Sequence, residues 1–397
     1  MTPPRVPETF DVAIAGAGLA GGLLALGLSR RGARVALLDP GTFPRDKLCG
    51  EFLSPEAWGV LGRFGLDAAI RASGFQPIRR VRISTPRGTL LAADVEGPDG
   101  LPGIGMSRFL LDDIILRQAR AAGAEVFEAT RVGGAIVEEG RVVGISARGP
   151  DGPIELRATL TIAASGRHSP LVKQTGTTRG RSLCRPGLFG MKRHLHAPEA
   201  VAEPAGCVGL HVVRGGYGGA SRVEGSVTNL CALLPESALR RRRGDLDRVA
   251  AEVLGANPAL DALLQGSTPA GAWKTVSGVR VESSRVELPG ILYAGDCRGT
   301  VDPLGGQGMT MALLGAEQLI PFALRSLAQG PSVAIARRAE AAWHARFDRR
   351  VRLCRAFHHM LIHPTTIDLA ASLHSLAPRL LSACYRLTRD RRPIAAG

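Results

Sequence analysis

Three glycines and one acid carry the first piece of chemistry. Gly16, Gly18 and Gly21 stand at G-x-G-x-x-G spacing, and Asp39 follows roughly 20 residues later. Gly16 permits a tight turn, Gly18 lets the backbone approach a pyrophosphate, and Gly21 lets helix and strand pack closely, with Ala17 inside the turn. Asp39 is placed to accept hydrogen bonds from a ribose 2′-OH. Arg45 and Lys47 follow in a Pro- and Gly-broken loop that would run along the phosphates. Ser165 and Gly166 sit after another strand-like run, and Asp296 ends a third. The glycine-rich CRGTVDPLGGQG then leads into an apolar helix. The unpaired N–H groups at a helix start favour negative charge, which makes that junction a second anion site. The chemistry is the binding of a dinucleotide.

Side chains able to move protons are fewer. Tyr217 and His211 lie in the strand-rich region after about residue 180 and could orient or deprotonate a phenol. His194 and His196 alternate on one strand face, and with no carboxylate at ligand spacing no metal site is expected. Cys49 lies in the loop after Asp39 and reads as a small buried thiol.

The elements that must hold these residues follow from periodicity. Apolar runs at 12–14 and 34–38 flank a Leu/Ala-rich helical stretch. Ser54-Pro55 reads as an N-cap with proline at N1 of a second helix, and Ser107 opens a third that stops at Gly123. The alternating run 77–91 around Pro86-Arg87-Gly88 reads as a hairpin of a different layer. Runs at 125–128, 132–137, 142–148 and 154–163 suggest an antiparallel sheet inserted in the dinucleotide-binding domain. Between about 180 and 278, short runs at 189–194, 207–213 and 226–234 precede one helix carrying Arg240 and Arg248 towards Leu264, a separate substrate-binding layer. Residues 309–324 and 333–388 read as helical, with Pro364 as a break.

Composition narrows the class. The 397 residues are 45% hydrophobic and carry a formal charge of +15, nearly all arginine beside four lysines. Those arginines are spread out and aromatics are few, which argues against a base-stacking platform, so no nucleic acid is expected. No apolar run approaches the roughly 18 residues of a membrane span, the stretch MTPPRVPETF lacks a signal pattern, and the basic C-terminal helices read as solvent-facing, with peripheral membrane contact the lesser reading. A cytoplasmic protein is expected. Seven scattered cysteines without C-x-x-C read as free thiols.

Five motifs in order carry a resemblance: the fingerprint ending in Asp39, FPRDKLCGE, Arg108 opening its helix, AASGRHS, and YAGDCRGTVDPLGGQGMTMAL. Over roughly residues 8–330 the chain resembles the superfamily of FAD-dependent aromatic hydroxylases and geranylgeranyl reductases. The resemblance implies an α/β fold: a Rossmann-like FAD-binding domain of glutathione reductase type (1–75, 105–178 and 280–330), an inserted antiparallel β-sheet substrate domain (76–104 and 179–279) and a C-terminal helical cap (331–397). It implies that Gly16, Ala17, Gly18 and Gly21 hold the FAD pyrophosphate and Asp39 the adenosine ribose. Arg108, Val132, Ser165 and Gly166 contact the cofactor, and Asp296 binds the ribityl chain. Pro303, Gly305, Gly306, Gln307, Gly308 and Met309 face the pyrimidine edge of the isoalloxazine, where a helix start would stabilise reduced flavin. Hydroxylases often carry Asp-Gly where this chain has Ser165-Gly166.

With one fingerprint only, NAD(P)H is expected to bind transiently in the cleft, or a separate reductase to supply electrons. The leading expectation is hydroxylation of a small hydrophobic or phenolic substrate, aromatic or polyketide-like, by O2 through a flavin C4a-hydroperoxide. The second is reduction of an isoprenoid double bond, although of the reductases' Tyr-x-Trp-x-Phe-Pro motif only Tyr217 remains. Halogenation is set aside, because the halogenases' essential lysine would fall at Gly59 and W-x-W-x-I-P is absent. A purely structural flavoprotein ranks below these, and the oligomeric state is left open.

Overall fold

The computed structural model describes residues 9–361, apart from 89, 96, 98, 99 and 183–186, together with 382, 385, 387 and 389. The chain opens with β1 (Thr9–Ala15), α1 (Leu19–Ser29) and β2 (Val35–Leu38). Every residue of α1 except Ser29 is buried, because α4 and α9 pack against it. Next come β3 (Phe52–Leu53), α2 (Ala57–Arg63), α3 (Asp67–Ala72), β4 (Gln76–Ile78), β5 (Arg80–Ser84), β6 (Leu90–Asp94) and β7 (Gly103–Gly105). Helix α2 starts later than Ser54-Pro55 suggested: the Ser54 hydroxyl bonds Glu56 and Thr310 instead of capping, and the first turn is used to join α9. Helix α4 (Arg108–Ala121) does begin at a cap, Ser107 Oγ accepting from Leu110 N.

Strands β8 (Glu125–Phe127), β9 (Arg131–Glu138), β10 (Arg141–Gly149) and β11 (Gly152–Ala163) follow. They do not form an inserted sheet of their own. The first sheet has seven strands in the order β8-β2-β1-β11-β10-β9, with β19 (Ile291–Tyr293) paired to the end of β11. Strand β11 accounts for this: its first half alternates in burial beside β10, and its last residues, held in parallel between β1 and β19, are wholly buried.

After α5 (Pro170–Thr175), a second sheet takes β12 (Gly176–Ser182), β13 (Leu188–His196), β14 (Cys207–Val213), β15 (Gly216–Arg222), β16 (Thr228–Pro235), β17 (Thr268–Pro269) and β18 (Lys274–Val286). Its nine strands run β12-β18-β13-β16-β15-β14-β5-β6, with β17 on β13, so the early β5–β6 hairpin joins through the parallel pair β14–β5. The single helix expected after β16 is broken into α6 (Glu236–Arg241), α7 (Leu246–Val249) with a π turn, and α8 (Pro258–Gly266). Arg243 and Gly244 at positive φ end the first piece, and Asn257-Pro258 restarts the last. Helices α9 (Gly308–Gln329) and α10 (Val333–Leu361) complete the described chain; Pro364, Cys184 and Cys384 lie outside the described residues. The five described cysteines are free, and no described helix is long and apolar enough to cross a membrane.

Candidate functional site

The fingerprint glycines have different physical tasks. Gly16 has φ +104 and lies so close to Ala164 that a Cβ would sit 2.6 Å from its carbonyl oxygen. At Gly21 a Cβ would fall 1.8 Å from Gly16 O, so this glycine is what lets α1 leave the turn. Gly18 is different: a Cβ there would come no closer than 3.4 Å to the Arg108 guanidinium and 3.9 Å to Lys47 Nζ. It opens into a cavity of about 1470 Å³.

That cavity is bounded by Gly16, Gly18, Lys47, Arg108, Val132, Ser165, Gly166, Asp296, Gly308 and Met309. It also meets Arg131, Arg167 and His168, which the sequence reading passed over although Arg167 and His168 belong to AASGRHS and Arg131 adjoins Val132. Two helix starts open onto it, those of α1 and α9, and neither carries a side-chain cap. Unpaired N–H groups at both ends and cations between them fit a pyrophosphate-bridged dinucleotide.

The cations are not equivalent. Arg108 is tied to Asp112 by two bonds of 2.7 and 2.6 Å; burial opposes its charge, and Asp112 more than offsets this and raises its pKa. Lys47 has no such partner among the described residues. Crowding by the cavity walls, aided by the Arg108 charge, lowers its pKa from the ordinary lysine value even though its side chain stays open to solvent. An arriving phosphate would restore it.

Asp39 is buried and already accepts from Ala17 N, Gly41 N and Arg45 Nη2, each at 2.9 Å. An ionised carboxylate has about four acceptor sites, so one is left for a ribose hydroxyl. Arg45 therefore faces Asp39 and the Phe43 ring, 4.7 Å away, instead of the phosphates expected of it. Ala17 turns its N–H to Asp39, and Gln307 is fully buried with Oε1 accepting from Arg350.

Beyond Asp296 a second space of about 990 Å³ runs past Cys49, Glu51, Tyr217, Pro303 and Gly306. It meets a third, about 1060 Å³, whose walls are mainly apolar: Phe52, Val81, Ile83, Leu210 and Leu304, with Gly305 and Gly306 at one end. Tyr217 borders both. Burial, reinforced by Asp302, raises its pKa well above the ordinary value, so at neutral pH it is a neutral phenol.

His211 does not reach these spaces. Val208 and Leu210 face the apolar cavity, and by strand alternation His211 turns the other way, where it is buried with Nδ1 2.8 Å from Ser84 Oγ and Nε2 2.9 Å from Glu203. Its role is to satisfy a buried polar network. The histidine that does approach the site is His194, and the carboxylate missing from its sequence neighbourhood arrives through the fold, with Glu51 Oε2 2.7 Å from Nε2. No metal is needed there, since Lys192 Nζ lies 2.5 Å from Glu51 and 2.6 Å from Asp46. Gly59 is exposed on α2.

A family model described as FAD binding domain matches residues 9–321. The chain is similar to digeranylgeranylglycerophospholipid reductase 1 of Methanopyrus kandleri, 28% identical over 325 residues that cover 77% of this chain and 78% of that protein. It is 32% identical to menaquinone reductase of Mycobacterium tuberculosis over 197 residues, 47% of this chain and 44% of that one. Among solved structures, the flavin-dependent brominase Bmp2 superposes with a TM-score of 0.81 at 18% identity, covering 96% of this chain and 93% of that one. The p-nitrophenol 4-monooxygenase PnpA of Pseudomonas putida gives 0.77 at 18%, over 97% and 100%. At such identities the two structures share the fold with this chain, and that is all the likeness carries.

Proposed function

The chain belongs to the FAD binding domain family and is an FAD-dependent oxidoreductase, and from that premise we propose that it hydroxylates a small hydrophobic or phenolic molecule, aromatic or polyketide-like, using O2 and electrons from NAD(P)H. Bound FAD supplies the electron transfer and the activation of oxygen. The residues supply position. Gly16, Gly18 and the start of α1 receive the pyrophosphate, with Lys47 and Arg108 beside it. Asp39 holds the adenosine ribose, Asp296 the ribityl chain, and the 303–309 segment with the start of α9 receives the flavin ring and the negative charge that reduction places on it. Val132, Ser165 and Gly166 close the cavity around the cofactor.

The observation that carries this reading is the position of Tyr217. It stands where the space leading from Asp296 meets an apolar chamber large enough to enclose a small substrate. A neutral phenol there can hydrogen-bond a substrate hydroxyl and fix which carbon faces the flavin, while the apolar walls exclude water.

One observation favours a second reading, the saturation of an isoprenoid double bond: the similarity to the archaeal reductase extends over 77% of this chain. The two readings separate in one experiment. The purified protein is incubated with NAD(P)H, ¹⁸O2 and a panel of phenols, and in parallel, without oxygen, with geranylgeranyl lipids. Monooxygenation predicts a product heavier by one ¹⁸O atom and no anaerobic turnover. Anaerobic gain of two hydrogens by the lipid, with no label in any phenol, replaces it with the reductase reading.

A further inference from the structure

One row of side chains on the second sheet grips one loop of the first layer. Strand β13 turns Lys192 and His194 to a common face, and at the register of His194 stand Asn229 on β16 and, next to it, Ser221 on β15. Loop 46–51 lies across this row. Lys192 Nζ donates to Asp46 Oδ1 at 2.6 Å, to Glu51 Oε1 at 2.5 Å and to the Lys47 carbonyl at 3.2 Å. Asn229 Nδ2 donates to the Cys49 carbonyl at 3.1 Å. Glu51 also accepts from Arg108 N, the first residue of α4, at 3.0 Å.

Two features mark the loop as more than packing. Glu51 is 0% exposed and Lys192 1%, and a buried ion cluster costs desolvation that an apolar filling would avoid. Glu51 also holds φ 56, which a non-glycine residue rarely adopts and which the surrounding contacts must enforce. The loop is also a wall between spaces: Lys47, Leu48 and Cys49 border the dinucleotide cavity, and Cys49, Gly50 and Glu51 border the one beyond it. Asp46, Glu51 and His194 bring ligand atoms within 4.8 Å of one another, a set that would suit a cation, and the ammonium of Lys192 is that cation.

We propose that Lys192 is a positioning residue for the flavin: its ammonium pins loop 46–51 and offsets one of the two negative charges that Asp46 and Glu51 bring beside the cavity in which reduced flavin becomes negative. The inference rests on the reading that FAD extends from Gly18 past Asp296 to the 303–309 segment. Lys192→Met would leave two carboxylates without their cation. FAD release would rise by about tenfold, within the usual range of coupling between neighbouring sites, and the flavin midpoint potential would fall, because uncompensated negative charge opposes the reduced form. Glu51→Gln removes a negative charge and shifts the potential the opposite way. The double variant Lys192→Met with Glu51→Gln removes both and returns potential and FAD release close to wild type.

The test uses the holoproteins, with FAD release followed by recovery of flavin fluorescence on dilution and the potential by equilibration with reference dyes. A lysine that only fills space would leave the potential of Lys192→Met at the wild-type value, or make the double variant indistinguishable from Glu51→Gln alone; either result overturns the proposal. Where Lys192→Met yields no folded protein, the double variant compared with Glu51→Gln decides: a lower potential in the double variant supports the proposal and equal potentials overturn it. Asp296→Ala serves as control. If it loses FAD while the three variants match wild type, this inference alone fails; if it also keeps FAD at wild-type affinity, the reading of the cavity fails and this inference with it.

Discussion

The dinucleotide cavity and the apolar chamber are built from different materials. The first is walled by backbone at two helix starts and two loops, with Arg108 as its buried cation and the exposed Lys47 beside it. The second is walled by side chains from β3, β5, β6, β14, β15 and β16 together with Leu304 and Phe357. Backbone N–H groups look alike at every residue, so the first cavity needs small residues at fixed places and tolerates little else. Side-chain walls can be exchanged at nearly constant volume. The first cavity is therefore suited to a fixed ligand, and the second is where substrate preference is set.

Four substitutions would break or sharpen that contrast. The largest effect is expected from Gly21→Ala, whose Cβ would meet the Gly16 carbonyl at 1.8 Å. It should cost roughly 3 kcal/mol or more of stability and lower the melting temperature with or without FAD, as overpacking against immobile backbone does. Gly18→Val comes next and acts differently, since its side chain enters open cavity beside Arg108 and Lys47. The melting temperature of the apoprotein should hold while FAD affinity falls about 100-fold, equivalent to about 2.7 kcal/mol. A yellow, stoichiometrically loaded Gly18→Val protein would contradict the assignment of this cavity.

Lys47→Gln should weaken FAD about tenfold, the usual size of a charge-assisted hydrogen bond. It also carries a pH signature. The pKa of Lys47 is lowered before the cofactor arrives and phosphate raises it, so binding takes up a proton. FAD affinity in the wild type should thus fall as pH rises through the lowered Lys47 value, at a pH below the ordinary lysine range, and titration of Lys47→Gln should lack that step. Tyr217→Phe is the mildest. With FAD content unchanged, kcat/KM for a phenolic substrate should fall about fivefold, one neutral hydrogen bond of about 1 kcal/mol, and a non-phenolic substrate should show no loss. An equal loss for both substrates would move Tyr217 from orientation to packing.

Legibility followed the same divide. The strand–turn–helix of 9–29, the Ser107 cap and the β5–β6 hairpin rest on contacts between near neighbours, and they read directly from spacing. Strand β15 did not, because GYGGASR lacks the β-branched pattern of a strand and is held by β14 and β16 on its two sides. Strand β18 was also missed, since its burial alternates irregularly between two different partners. Arg45 read as a phosphate ligand because only the fold reveals that Asp39 takes it. His211 and His194 exchanged importance for the same reason, the first turned from the chamber by strand parity and the second met by a carboxylate 143 residues away in sequence.

By itself the sequence determined that a dinucleotide is bound and which glycines make room for it, because close approach of backbone to phosphate depends on residue size at fixed local spacing, while FAD as that dinucleotide was implied by the resemblance of five motifs in order. Only the tertiary structure decided that Arg108 is the cavity cation tied to a carboxylate, that Tyr217 and not His211 stands at the junction with the chamber, and that a buried lysine from β13 meets the loop at 46–51. Those outcomes depend on charges and faces brought together from distant segments, and the energy of a charge is set by the neighbours it meets in three dimensions.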